Sequence, residues 1–220
     1  MKIAIWQAQS SYCDYAANLA RLAAALQQAK SQQAELLITP EMFMSGYVLQ
    51  QHLPAMADSF PLTELLALAR ERQMAMIVTG PLAEAGQIFN ASYFISAQGE
   101  LQCVYRKTHL FGELDKRQFS PGNQPVCITR YKDLNIALLI CYDVEFPENV
   151  RRLALAGADL VVVPTALPKG SSGTFIANHM IQVRAFENPV FVAYFNHCGA
   201  DANFTYAGPS PIAAPHGNLL

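Results

Sequence analysis

Three residues of this chain pair a reactive side-chain type with a position at the end of an apolar segment. In LNIALLICYDVEFPE, residues 134–148, the largely apolar run 134–140 stops at Cys141. The polar residues Tyr142, Asp143 and Glu145 follow, and then Pro147. Such a run, with a charged segment before it and a turn-to-helix signal after it, predicts a buried strand. The C-terminal end of a buried strand is where α/β proteins usually place their chemistry. The run 36–39 leads into Pro40 and Glu41, and the run 101–106 leads into Lys107. A thiol, a carboxylate and an ammonium at three strand ends make a complete set for covalent hydrolysis of an acyl compound.

The elements that must position these ends can be read from periodicity and punctuation. Strands are predicted over 3–9, 36–39, 74–79, 88–96, 101–107, 126–129, 134–140, 159–163 and 190–195. Gly80-Pro81 should stop the third of these, and Ala97-Gln98-Gly99-Glu100 reads as a hairpin turn. Asn18 is placed to cap a helix running to about Lys30, with Leu19, Leu22, Ala23 and Leu26 on one face. Leu62, Leu65, Leu66 and Ala69 give a helix over 62–72. Pro147 in a first turn and Gly157 just past the end bound a helix over 147–156. A further helix is expected over 174–187, and 212–214 begins a last hairpin turning at Pro215-His216-Gly217-Asn218. Helices alternating with strands, with hairpins among them, predict a mixed sheet or two packed sheets with helices outside.

Composition sets the class. A chain of 220 residues with 52% hydrophobic and 15% charged residues can bury a sizeable core. A net charge of −2 points to neither nucleic acid nor an anionic membrane, and no apolar stretch approaches the ~18 residues of a membrane span. The strand-like start at Met1 lacks the order of features of a signal peptide. Five cysteines, an odd number without a CxxC pair, suggest free thiols in the reducing cytoplasm.

Each candidate has a plainer reading when taken singly. Free cysteine is among the most buried residue types, and Cys103, Cys127 and Cys198 are expected in the core. Glu41 suits a solvated loop, and Lys107 a solvated strand end. Their joint placement favours chemistry. Other chemistries fit less well. The five histidines are scattered without metal-ligand spacing. His109, two residues after Lys107, is a candidate for a Cys-His pair, whereas His197 and Cys198, as strand neighbours, point to opposite faces. Residues 171–174 read as a loop and helix cap rather than a nucleophile elbow, and no phosphate-cradling glycine motif occurs.

Three motifs in order, LLITPEMFMSGY (36–47), VYRKTHLFGELDKRQFSPGN (104–123) and LLICYDVEFPENVRRLALAGADLVVVPTA (138–166), resemble those of the nitrilase superfamily of carbon–nitrogen hydrolases. ENPVFVAYFN (187–196) and GPSPIAAPHG (208–217) are similar to its later segments, so the resemblance spans nearly the whole chain. The CYD form looks like the amidase branch, including enzymes acting on small carboxamides.

The resemblance implies an α-β-β-α sandwich, a single domain over 1–220, and a Glu-Lys-Cys triad of Glu41, Lys107 and Cys141. It also implies a second carboxylate that holds the triad and positions the substrate. Asp115, eight residues after the lysine, and Glu113 are both candidates. In the implied mechanism Glu41 carries the proton, while Lys107 and the Tyr142 backbone N–H stabilise the oxyanion. No metal or organic cofactor is implied. The implied substrate is a small amide, with a nitrile or N-carbamoyl compound as the alternative and a non-catalytic scaffold as a third reading. A homodimer or larger even-numbered assembly is expected, with the helices at 147–156 and 174–187 as candidate contacts. Family members usually carry a further C-terminal tail; this sequence ends at Leu220, so a weaker dimer is expected.

Overall fold

The computed structural model describes residues 1–220. Ten strands form two five-stranded mixed sheets. The first joins β1 (Ile3–Ile5), β2 (Leu36–Ile38), β3 (Ala75–Glu84), β4 (Gln87–Ile95) and β5 (Leu101–Arg106) in that order. The second runs β10 (Ile212–Ala213), β9 (Phe191–Asn196), β8 (Leu160–Thr165), β7 (Leu134–Leu138) and β6 (Ile128–Tyr131). The parallel trios β1-β2-β3 and β7-β8-β9 have their C-terminal ends on one side of each sheet.

The sheets pack face to face. One buried cluster joins Leu36, Ile38, Ile77, Phe94 and Tyr105 of the first sheet to Ile136, Leu138, Leu160, Val162 and Phe195 of the second. Strands buried on both faces must be apolar throughout, and LVVVPT of β8 has no exposed position. Outside the first sheet lie α1 (Tyr15–Ser31) and α3 (Leu62–Arg72), which bury Leu22, Leu26, Leu65 and Ala69 against Leu37, Met76 and Val78. The second sheet is covered by α5 (Pro147–Leu155), α6 (Ser171–Phe175) and α7 (Ile181–Phe186), through Val150, Leu153, Ile181 and Ala185, and by Ile176 between the last two helices. The result is the four-layer α-β-β-α sandwich expected from the sequence. The short helices α2 (Leu53–Asp58) and α4 (Gly112–Gln118) belong to the loops over the strand ends.

Several local expectations are corrected. The cap of α1 is Asp14, whose carboxylate accepts from Ala17 N at 2.9 Å. Asn18 is buried inside the helix, where its amide bonds the backbone of Ser11 and of Met44. β1 ends at Ile5 because its partner β2 is only three residues long. β3 runs through Gly80-Pro81 instead of stopping there. Beyond Ile77 it has no β2 neighbour, so Pro81 removes no ladder donor on that side. Gly80 lies under Phe60, whose Cε2 would be 2.4 Å from an added Cβ. The expected helix over 174–187 starts three residues earlier and is broken by a π turn at Ile176–Met180. Cys127 is buried in the core as expected and the partly buried Cys103 packs against the same cluster, whereas Cys198 is only partly covered.

Candidate active site

Strand ends from both sheets converge on one cluster. Glu41 follows β2 and Lys107 follows β5, while Cys141 follows β7. All three side chains are buried, and so is Asp115 in α4. Lys107 Nζ donates to Glu41 Oε1 at 2.8 Å and to Asp115 Oδ2 at 2.7 Å. The other oxygens of both carboxylates are also engaged. Glu41 Oε2 accepts from Ala166 N at 2.9 Å, and Asn90 Nδ2 donates to Oε1 at 2.7 Å. Asp115 Oδ1 accepts from the Tyr47 hydroxyl at 2.7 Å, and Phe111 N donates to Oδ2 at 2.9 Å. The sequence left Asp115 and Glu113 as alternatives; it is Asp115 that meets Lys107. Glu113 is exposed and pairs with Lys116 at 3.2 Å.

Burial decides the electrostatics. It raises the pKa of Glu41; Lys107 and the hydrogen bonds oppose the rise without cancelling it. Burial also pushes the Cys141 thiol well up, and the Glu41 charge adds to that, while Lys107 and the Ala166 N–H act the other way. For Lys107 burial disfavours the charge, but the surrounding Glu41, Tyr47, Cys141 and Asp115 outweigh it, so its pKa lies well above the usual value. A cationic lysine, a neutral thiol and a carboxylate of raised basicity thus share one desolvated volume.

The backbone at the thiol is strained. Cys141 has φ 44° and Met42, next to Glu41, has φ 53°, both in the left-handed region that non-glycine residues avoid. Such a conformation persists only where its surroundings fix it. Asp143, in the 3₁₀ turn Cys141–Glu145, does much of this. Its buried carboxylate accepts from Ile140 N, Tyr105 OH, Thr108 Oγ1 and His109 N at 2.8–3.1 Å. It therefore ties the turn that carries Cys141 to the segment that carries Lys107. His109 is not the partner of Cys141: its Nδ1 lies 3.0 Å from Asp143 and its ring stacks on Phe146. His197 is buried between the carbonyl oxygens of Ala8 and Glu41. No group of three His, Cys, Asp or Glu side chains is arranged to hold a metal ion.

Sequence reasoning missed Tyr47, Asn90 and Asp143 as parts of this cluster. Asn90 carried a signal, a lone amide in the apolar run of β4. A small cavity of about 120 Å³ opens over Cys141, lined by Tyr47, Phe111, Leu114, Leu167 and Phe204 together with Glu113, Asp115 and Glu145. Tyr142 lies beside it, edge-on to Phe111 and Phe146. A thiol with a buried carboxylate and ammonium at the floor of a small cavity can attack a carbonyl, move a proton and hold a developing oxyanion.

Known proteins share this arrangement of chain. The chain is 43% identical over its whole length to a Pseudomonas protegens protein named as the hydrolase in the pqqF 5′ region, and covers 78% of it. It is 32% identical to an (R)-stereoselective amidase of a Pseudomonas species, with all of this chain and 80% of that one aligned. Among solved structures, the amidase of Nesterenkonia sp. AN1 superposes with a TM-score of 0.94 at 36% identity, over 100% of this chain and 87% of that one. Other forms of that amidase hold butyramide, or carry the acetamide moiety of fluoroacetamide covalently at the active-site cysteine. The carbon–nitrogen hydrolase family model matches residues 2–220, and the chain belongs to the carbon–nitrogen hydrolase family.

Proposed function

We propose that the protein hydrolyses small carboxamides to the carboxylic acid and ammonia through a thioester on Cys141. The observation that carries this reading is Lys107, held between the Glu41 and Asp115 carboxylates under a cavity lined by Cys141. Cys141 Sγ attacks the amide carbon while Glu41 takes the thiol proton. Lys107 and the Tyr142 backbone N–H stabilise the tetrahedral oxyanion, each such donor worth ~3–4 kcal/mol of barrier. Glu41 returns its proton to the leaving nitrogen, the C–N bond breaks and ammonia departs. Water then attacks the thioester with its proton passing to Glu41, and the acid is released as the thiol recovers that proton. Asp115 holds the Lys107 ammonium in place. The named amidase relatives, and the butyramide complex and covalent acetamide adduct of the Nesterenkonia enzyme, support the same chemistry.

Ammonia release measured over a panel of amides, nitriles and N-carbamoyl compounds tests it. Turnover is expected with short amides. Hydrolysis of nitriles alone, or release of carbon dioxide with ammonia from carbamoyl compounds alone, would replace the amidase reading. No turnover of any compound would favour a non-catalytic scaffold.

The assembly we infer is a homodimer through α5, α6 and α7. Leu155, Phe175, Val183 and Phe186 of these helices are exposed large apolar side chains, at 80%, 58%, 51% and 67%. Light scattering over a dilution series is expected to show a dimer; a fully active monomer at micromolar concentration would refute it. Free cysteines at all five positions support a reducing compartment such as the cytoplasm. No helix is long and apolar enough to cross a membrane.

A further inference from the structure

The cavity over Cys141 has apolar walls, but the charged side chains lining it are all acidic: Glu113, Asp115 and Glu145. Two of these have partners. Asp115 is engaged by Lys107, Tyr47 and Phe111, and the exposed Glu113 reaches Lys116. Glu145 differs. It stands four residues after Cys141 in the same 3₁₀ turn and is half-buried. The neighbouring cation, Arg184, directs its nitrogens elsewhere. Its Nε donates to the Val144 carbonyl at 2.9 Å, its Nη2 to the Glu145 backbone carbonyl at 2.7 Å, and its Nη1 to Glu187 at 3.2 Å. Glu145 lines the cavity and its carboxylate accepts no hydrogen bond; burial raises its pKa, against the opposing charges of Arg184 and Lys107. A carboxylate kept partly dry without a donor costs free energy that a ligand donor would recover.

We propose that Glu145 sets the substrate class, and that the acyl group of the preferred amide carries an ammonium a short chain away from the carboxamide. This rests on the amidase reading above. The apolar walls would take the chain's methylenes, and Glu145 would take the cation. An anionic acyl group would meet the unpaired Glu145 carboxylate, while the nearby cations Lys107 and Lys116 are already held by Asp115 and Glu113, which disfavours it.

β-Alaninamide and butyramide form a matched pair, with an ammonium in place of a methyl group, and succinamate supplies the anion. Binding of each to the Cys141→Ala protein near pH 7, followed by calorimetry, reads selectivity without turnover. β-Alaninamide is expected to bind at least about tenfold more tightly than butyramide, the factor of a 1.4 kcal/mol difference, and succinamate most weakly. Adding Glu145→Gln, which keeps the shape, should collapse the β-alaninamide preference. Equal binding of β-alaninamide and butyramide, no binding of either, a preference that survives Glu145→Gln, or an equal loss for both would each overturn the proposal. Selective binding by a protein that hydrolyses none of the three would refute the amidase reading and leave the selectivity of Glu145 standing. Hydrolysis of butyramide without preference would refute the Glu145 proposal alone.

Discussion

Lys107 and Asp115 are eight residues apart in the chain and 2.7 Å apart in space, from Nζ to Oδ2. Glu113 is nearer in sequence, but on helix α4 it lies about 200° around the axis from Asp115 and so faces away. Asp115→Asn removes one of two carboxylates from a buried cation. Breaking such a pair costs ~3–5 kcal/mol, so both kcat and the urea midpoint should fall. Glu113→Gln should leave stability within ~0.5 kcal/mol of the parent. Equal effects from the two substitutions would contradict the assignment of Asp115.

Cys141→Ala should abolish turnover while the protein stays folded, and Cys141→Ser should be nearly inactive because Glu41 is a weak base for an alcohol. Iodoacetamide labelling with peptide mapping checks the assignment directly. Inactivation with Cys13, Cys103 or Cys198 modified and Cys141 untouched would exclude it.

Lys107→Met should lower kcat by ~10²–10³, the usual loss for an oxyanion donor. The melting temperature should fall too, because Glu41 and Asp115 are left as buried carboxylates without their cation. A solvated lysine would move neither quantity. Retention of more than about a tenth of kcat is incompatible with that role.

The raised pKa of Glu41 gives two pH effects of different origin. As the base it must be ionised, so kcat/KM should drop as pH falls through its folded pKa, above the ordinary carboxylate value near ~4.3. For stability, the folded state holds this proton more tightly than the unfolded state. The Glu41 contribution is therefore fully present below the unfolded pKa and is lost as pH rises through the folded one. A rate profile with its acid limb at or below the ordinary value would contradict the first effect. Denaturation midpoints followed across the same window, with Glu41→Gln as reference, check the second.

Strand ends were the legible part of this sequence. Apolar runs that stop abruptly at Glu41, Lys107 and Cys141 carry their own boundary, and the nucleophile strand was placed within two residues at its C-terminal end. What stayed hidden depends on contacts distant in sequence. Asn90 meets Glu41 across 49 positions and Tyr47 meets Asp115 across 68, and no local pattern encodes either. Punctuation misled where tertiary context overrode it, as at Gly80-Pro81, where a missing neighbour strand makes proline harmless. Asn18 failed as a cap because a loop 26 residues away claims its amide.

The cluster is divided between the sheets: Glu41 and Lys107 extend from the first, Cys141 and Ala166 from the second. Neither half of the chain holds a working set by itself. Recovery of activity during refolding should therefore report the docking of the two sheets rather than the formation of either. A cavity made between them, as by Ile77→Ala or Val162→Ala, should slow that recovery more than it slows the return of secondary structure. Turnover thus becomes a clock for the last long-range step of folding.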